Sequence, residues 1–172
     1  MFADEARFGR MNRPRPCWAP PGLRPEVAAQ LIREYICLYG VVAPKDGTCV
    51  YLIMPTSNTA CFQTSLDALS RRFARQDILL VLDGAPNHRS GQLIVPKNIM
   101  LLFLPPYSPE LNPKENLWDE IRDKIFKNYA LKSMDGVRQK IDTQSLRPQP
   151  SIGTGGRHQS VRPPIALTRH PA

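Results

Sequence analysis

The sequence predicts an α/β protein built on a mixed sheet flanked by helices, and three observations lead there. Two apolar runs, Ile78–Leu82 (closed by Asp83) and Ile99–Leu104, have the length and continuous hydrophobicity of strands buried on both faces. Two further strand-like runs, Glu34–Val42 and Thr48–Met54, are joined through Pro44-Lys45-Asp46-Gly47, a hairpin-type turn. Elsewhere apolar residues recur at helical spacing, and strands followed by strand–helix alternation fit a mixed sheet. A chain of 172 residues is long enough for one domain with a substantial core.

Taken in order, residues 2–4 read as the last residues of a first strand, with only Met1, Phe2 and Ala3 ahead of Asp4, so that strand is expected to be truncated. A proline-rich loop follows over 10–24, then a short turn or helix from Pro25 to Arg33. After the hairpin, Phe62, Leu66, Leu69 and Phe73 give Asn58–Arg75 the period of a helix. Gln92 opens a short helical or turn segment before Lys97. Leu104-Pro105-Pro106-Tyr107-Ser108-Pro109 cannot form regular structure, because each proline fixes its own φ and pushes its predecessor toward extended geometry. Asn112 then reads as an N-cap with Pro113 at the first helical position. The helix runs to Lys127, with Trp118, Ile121 and Ile125 on its apolar face. A last helix spans Ser133–Ile141, capped by Ser133. Composition changes after residue 142: segment 143–172 is rich in proline and arginine and lacks apolar periodicity, so it is expected to be a disordered tail behind a folded domain of residues 1–142. Translation past a frameshift and a basic DNA-binding tail both explain such a segment.

Three acids stand out. Asp83 ends a buried strand, where a carboxylate is costly unless it binds something; the bland alternative is that it satisfies the Asp-Gly turn. Glu115 lies three residues beyond the Asn112 cap on the rim of the apolar helix face; the bland alternative is a capping box. Asp4 follows a short apolar run. Together they suggest a metal site. The net charge of +8 favours a polyanionic partner. From Arg7 to Arg33 there are six arginines against one acid, Glu26, with Trp18 and five prolines between them. Such a stripe can track phosphates, or it can be a solvated loop with incidental charge.

Asp4-Glu5-Ala6-Arg7-Phe8, Val81-Leu82-Asp83-Gly84-Ala85-Pro86-Asn87-His88 and Pro105-Pro106-Tyr107-Ser108-Pro109-Glu110-Leu111-Asn112-Pro113-Lys114-Glu115 resemble the DDE transposases of the mariner-like superfamily, most closely its bacterial insertion-sequence branch. The 31 residues between Asp83 and Glu115 are in keeping with that family, and the resemblance covers residues 2–142. It implies an RNase H-like fold, two Mg²⁺ or Mn²⁺ ions held by Asp4, Asp83 and Glu115, and DNA cleavage and strand transfer at transposon ends and target DNA. It also implies an N-terminal helix-turn-helix region, for which this sequence leaves no room ahead of Asp4, and a homodimer when full length. The resemblance further implies DNA contact for this chain, with Arg7, Arg10, Arg13, Arg15 and His88 as the candidate residues. The alternatives are an inactive transposase remnant with weak non-specific DNA binding, or another RNase H-like nuclease. Two-metal phosphodiester chemistry needs hard oxygen ligands of this kind.

Zinc has no obvious ligand set: Cys17, Cys37, Cys49 and Cys61 are far apart and form no C-x-x-C. They read as reduced, mostly buried thiols. No apolar run approaches the length of a membrane span, and the expected location is the bacterial cytoplasm, with the nucleoid.

Overall fold

A computed structural model describes residues 1–145 apart from Arg13, Arg15, Tyr107, Pro109, Glu110, Pro113, Lys127 and Tyr129, and without the side chains of Lys114, Glu115, Asn116, Lys124, Ile125 and 143–145. Five strands form one sheet: β1 (Phe2–Met11), β2 (Leu31–Ala43), β3 (Thr48–Met54), β4 (Ile78–Leu82) and β5 (Ile99–Phe103). Its order is β3-β2-β1-β4-β5. The first three strands are antiparallel to one another, whereas β4 runs parallel to both β1 and β5. The helices are α1 (Thr59–Arg72), α2 (Lys114–Ile121), continued by a π-helical turn Arg122–Phe126, and α3 (Met134–Ser145).

Side-chain alternation on β1 and β2 divides the interior in two. Ala3, Cys37 and Tyr39 face α1, where Phe62, Leu66 and Leu69 meet Ile78, Leu80 and Leu82. Ala6, Phe8, Ile36 and Leu38 face the opposite way, onto Leu117, Trp118, Val137 and Ile141 of α2 and α3. β2 is therefore buried on both sides over Ile36–Tyr39.

Local chemistry sets the boundaries. The Asn58 side chain accepts from the Cys61 amide and caps α1. Asn98 closes the other end: its side-chain Nδ2 donates toward the Ser70, Phe73 and Gln76 carbonyls, and its backbone carbonyl accepts from Ile78 N, so one residue joins the end of α1 to the start of β4 and β5. Gly47 has φ 71° in the β2–β3 turn, a backbone state that favours glycine. At Gly9, beside an irregularity in the β1–β2 register, a Cβ would collide with the Glu34 carbonyl oxygen.

Several expectations change. β1 does not stop at Asp4 but continues to Met11, because Ala6 and Phe8 alternate into the second core and the whole strand ladders with β2. From its first residue it is also tied to β4, through Met1 N to Leu79 O and Val81 N to Met1 O. No helix forms over Pro25–Arg33; the chain is irregular until β2 begins at Leu31. Among the described residues β4 and β5 are covered mainly on one face. α2 and α3 pack across β1 and β2, so Leu79 remains 48% and Met100 68% exposed. The helix predicted to run to Lys127 widens into the π-helical turn, which ends with Phe126 stacked 5.1 Å from the Phe8 ring. Residues 143–145, assigned to the tail, belong to α3; residues 146–172 lie outside the described residues. No disulfide forms, and Cys37 and Cys61 are buried while Cys17 is exposed. Among the described residues no helix is long and apolar enough to cross a membrane.

Candidate active site

β1 and β4 are neighbours, and Phe2 pairs with Val81. Two residues further along each strand this register sets Asp4 beside Asp83, the residue at which β4 ends. Both carboxylates line one open crevice of about 520 Å³, together with Gly84, Ala85, Arg89, Leu104, Pro105, Pro106, Ser108 and Asn112. The Pro-Pro loop and the Asn112 approach to α2 thus form its far wall.

The two acids are held differently. Asp4 Oδ1 accepts from the Glu5 amide at 2.8 Å, and Oδ2 accepts from the Trp118 indole N–H at 2.9 Å. Trp118 is buried between the Phe8 and Tyr51 rings, with centroids 6.0 and 6.2 Å away, so the donor is rigidly placed. Asp83 is 58% exposed at the side chain. Its Oδ1 accepts from the Ala85 amide and pairs with His88 Nδ1 at 2.7 Å.

His88 was a candidate DNA contact; it is instead only 2% exposed, seated 4.4 Å from the Phe62 ring. Its Nε2 lies 2.7 Å from Glu5 Oε1, so one imidazole spans two carboxylates. Ionised carboxylates only accept hydrogen bonds, and a neutral imidazole has one N–H. Both bonds are therefore made together by imidazolium. Burial pushes the His88 pKa down, but the hydrogen bond and charge of Glu5, joined by those of Asp83, outweigh it and raise the pKa above its ordinary value.

Glu115 is the second residue of α2, whose approach borders the crevice through Asn112; its side chain lies outside the described residues. Among the described residues no three His, Cys, Asp or Glu side chains gather as a metal ligand set. What is present suits a hard cation: two carboxylates share one crevice, and Asp83 Oδ2 carries no hydrogen bond among the described residues while Oδ1 is fixed. The remaining DNA candidates are spread out. Arg7 stacks over Tyr35 at 5.0 Å. Arg10, 17% exposed, donates to the Leu131 carbonyl and the Glu34 carboxylate, so it links β1 to β2 and to the chain ahead of α3. Arg13 and Arg15 lie outside the described residues.

Sequence reasoning missed Glu5, Trp118 and Arg89 as site components. Glu5 was legible in part, since alternation on a strand sends it to the face opposite Asp4. The need of a buried indole N–H for an acceptor pointed to a polar partner for Trp118 but did not name it.

The DDE superfamily endonuclease profile matches residues 1–138. A protein of Sinorhizobium fredii (strain NBRC 101917 / NGR234), described as uncharacterized protein y4pE/y4sA, is 39% identical over 101 residues, which is 58% of this chain and 75% of that one. Among solved structures, the Mos1 mariner paired-end complex with Mn superposes with a TM-score of 0.64 at 19% identity, over 83% of this chain and 46% of that one. The pre-cleavage Mos1 transpososome gives 0.63 at 20% identity, over 83% and 47%. This chain thus spans about half the length of the Mos1 transposase chains. The sheet order and helix placement are those of the RNase H-like fold found in Mos1, and with a profile match over most of its length the chain belongs to the DDE superfamily endonuclease family.

Proposed function

We propose that this domain carries out metal-dependent DNA strand cleavage and strand transfer in DNA transposition, with transposon ends and target DNA as substrates and a homodimer as the working assembly. The observation that carries the reading is the pairing of Asp4 and Asp83 at one level of two parallel strands, both lining the same crevice. Asp4, Asp83 and Glu115 would hold two Mg²⁺ or Mn²⁺ ions, which at such a site supply an activated water and a stabilised leaving oxygen. Trp118 fixes the Asp4 carboxylate from the helix side, and His88 fixes that of Asp83 from the α1 side. Pro105 and Pro106 line the crevice without adding charge. The Mos1 complexes that share the fold contain transposon-end DNA in one case and Mn in another, which supports the same substrate and ions here.

The test is a thermal melt with and without Mn²⁺, paired with nicking of a duplex carrying the cognate transposon end. Wild type should be stabilised by Mn²⁺ and should nick the duplex, and Asp83→Asn should do neither. A Mn²⁺ shift of equal size in Asp83→Asn removes the reading.

A further inference from the structure

We propose that Arg89 is the phosphate-binding residue of the crevice, gripping a non-bridging oxygen of the DNA phosphodiester beside Asp4 and Asp83; this rests on the reading of the crevice as a DNA site. Arg89 lines the crevice with both carboxylates, yet among the described residues it forms neither an ion pair nor a hydrogen bond with its side chain. A guanidinium beside two acids ordinarily pairs with one of them. Here two contacts hold it elsewhere. Its Cζ lies 4.7 Å from the centroid of the Phe103 ring. On the other side it lies against Gly84, where a Cβ would sit 2.8 Å from Nη2 and 2.9 Å from Nε. Backbone placement agrees: the amides of His88 and Arg89 both donate to the Ala85 carbonyl, and this tight turn returns the chain over the end of β4.

The charge balance gives the arrangement a purpose. A guanidinium paired with Asp83 would have its charge and donors spent on that carboxylate, and would have little left for a phosphodiester. A guanidinium kept on an aromatic face retains its planar fork of N–H donors, which matches two phosphate oxygens. His88 completes the separation by occupying Asp83 Oδ1 from the far side.

Affinity for a 20-base-pair duplex is measured over a salt series in wild type, Arg89→Gln, Arg89→Lys and Arg71→Gln, the last on the exposed end of α1. Arg89→Gln should weaken binding roughly tenfold at low salt and lower the log–log salt slope by about one, as expected for one lost phosphate contact. Arg89→Lys should keep the slope while binding more weakly, since the charge stays and the fork is lost. Arg71→Gln should retain wild-type affinity. A wild-type slope in Arg89→Gln, or an equal loss in Arg71→Gln, overturns the assignment. The Mn²⁺ melt of each variant is read alongside. A Mn²⁺ shift in Arg89→Gln equal to that of wild type shows the fold and acids intact, whereas its absence from wild type itself counts against the metal reading and leaves the DNA slopes to judge Arg89.

Discussion

Asp4 and Asp83 sit side by side but belong to different kinds of structure. Asp4 lies within a ten-residue strand laddered to β2 and tied to β4, with an oxygen bonded to a tryptophan fixed between two rings. Asp83 is the first residue beyond β4, largely exposed, and depends on a buried histidine five residues further along the chain. One acid is positioned by the core. The other is positioned by an ion pair that reaches the core through Glu5. A site built this way has a rigid wall and an adjustable one, and each can be broken separately.

The largest effect should come from the rigid wall. Trp118→Ala empties a buried indole site between Phe8 and Tyr51 and should cost about 3–5 kcal/mol in a urea melt. Trp118→Phe keeps most of the volume but removes the donor to Asp4, and should cost about 1–3 kcal/mol while weakening Mn²⁺ binding. If Trp118→Phe binds Mn²⁺ as wild type does, the indole bond does not orient Asp4.

His88→Ala breaks the adjustable wall, leaving Glu5 without its partner in a mostly buried setting, and about 3 kcal/mol of lost stability is expected. It should also change the pH response. Folding raises the His88 pKa, so protonated His88 stabilises the fold fully below its unfolded value of about 6.5, and that contribution fades as pH rises through the higher folded value. Wild type should therefore lose stability across neutral to alkaline pH in a way that His88→Ala does not. Parallel pH profiles for the two proteins would contradict the Glu5–His88–Asp83 bridge.

The smallest effect belongs to Gly84→Ala. The new methyl meets the far end of a flexible side chain, so stability should change by less than about 1 kcal/mol. Arg89 should nevertheless be displaced from the Phe103 face, and duplex affinity should drop toward that of Arg89→Gln. Unchanged affinity would mean that the Gly84 contact does not set the position of Arg89.

Much of this was legible from residues alone. The β2–β3 hairpin, the helix within Asn58–Arg75 and the order of strands and helices follow from turn chemistry and periodicity, which act over a few residues. Asp4 and Asp83 were singled out from their flanking motifs, and both line the crevice; the side chain of Glu115, the third acid of that set, lies outside the described residues. Tertiary packing decided the rest. An all-apolar run such as Ile78–Leu82 cannot reveal that one of its faces stays open, because that depends on where α2 and α3 settle. The extent of β1 depended on a partner strand twenty residues away in sequence, and ladder bonds with β2 carry it past Asp4. The pairing of His88 with Glu5 spans 83 residues, and that of Trp118 with Asp4 spans 114. No local pattern encodes such contacts; they exist because the sheet order places β1 between β2 and β4, with a helix on either face.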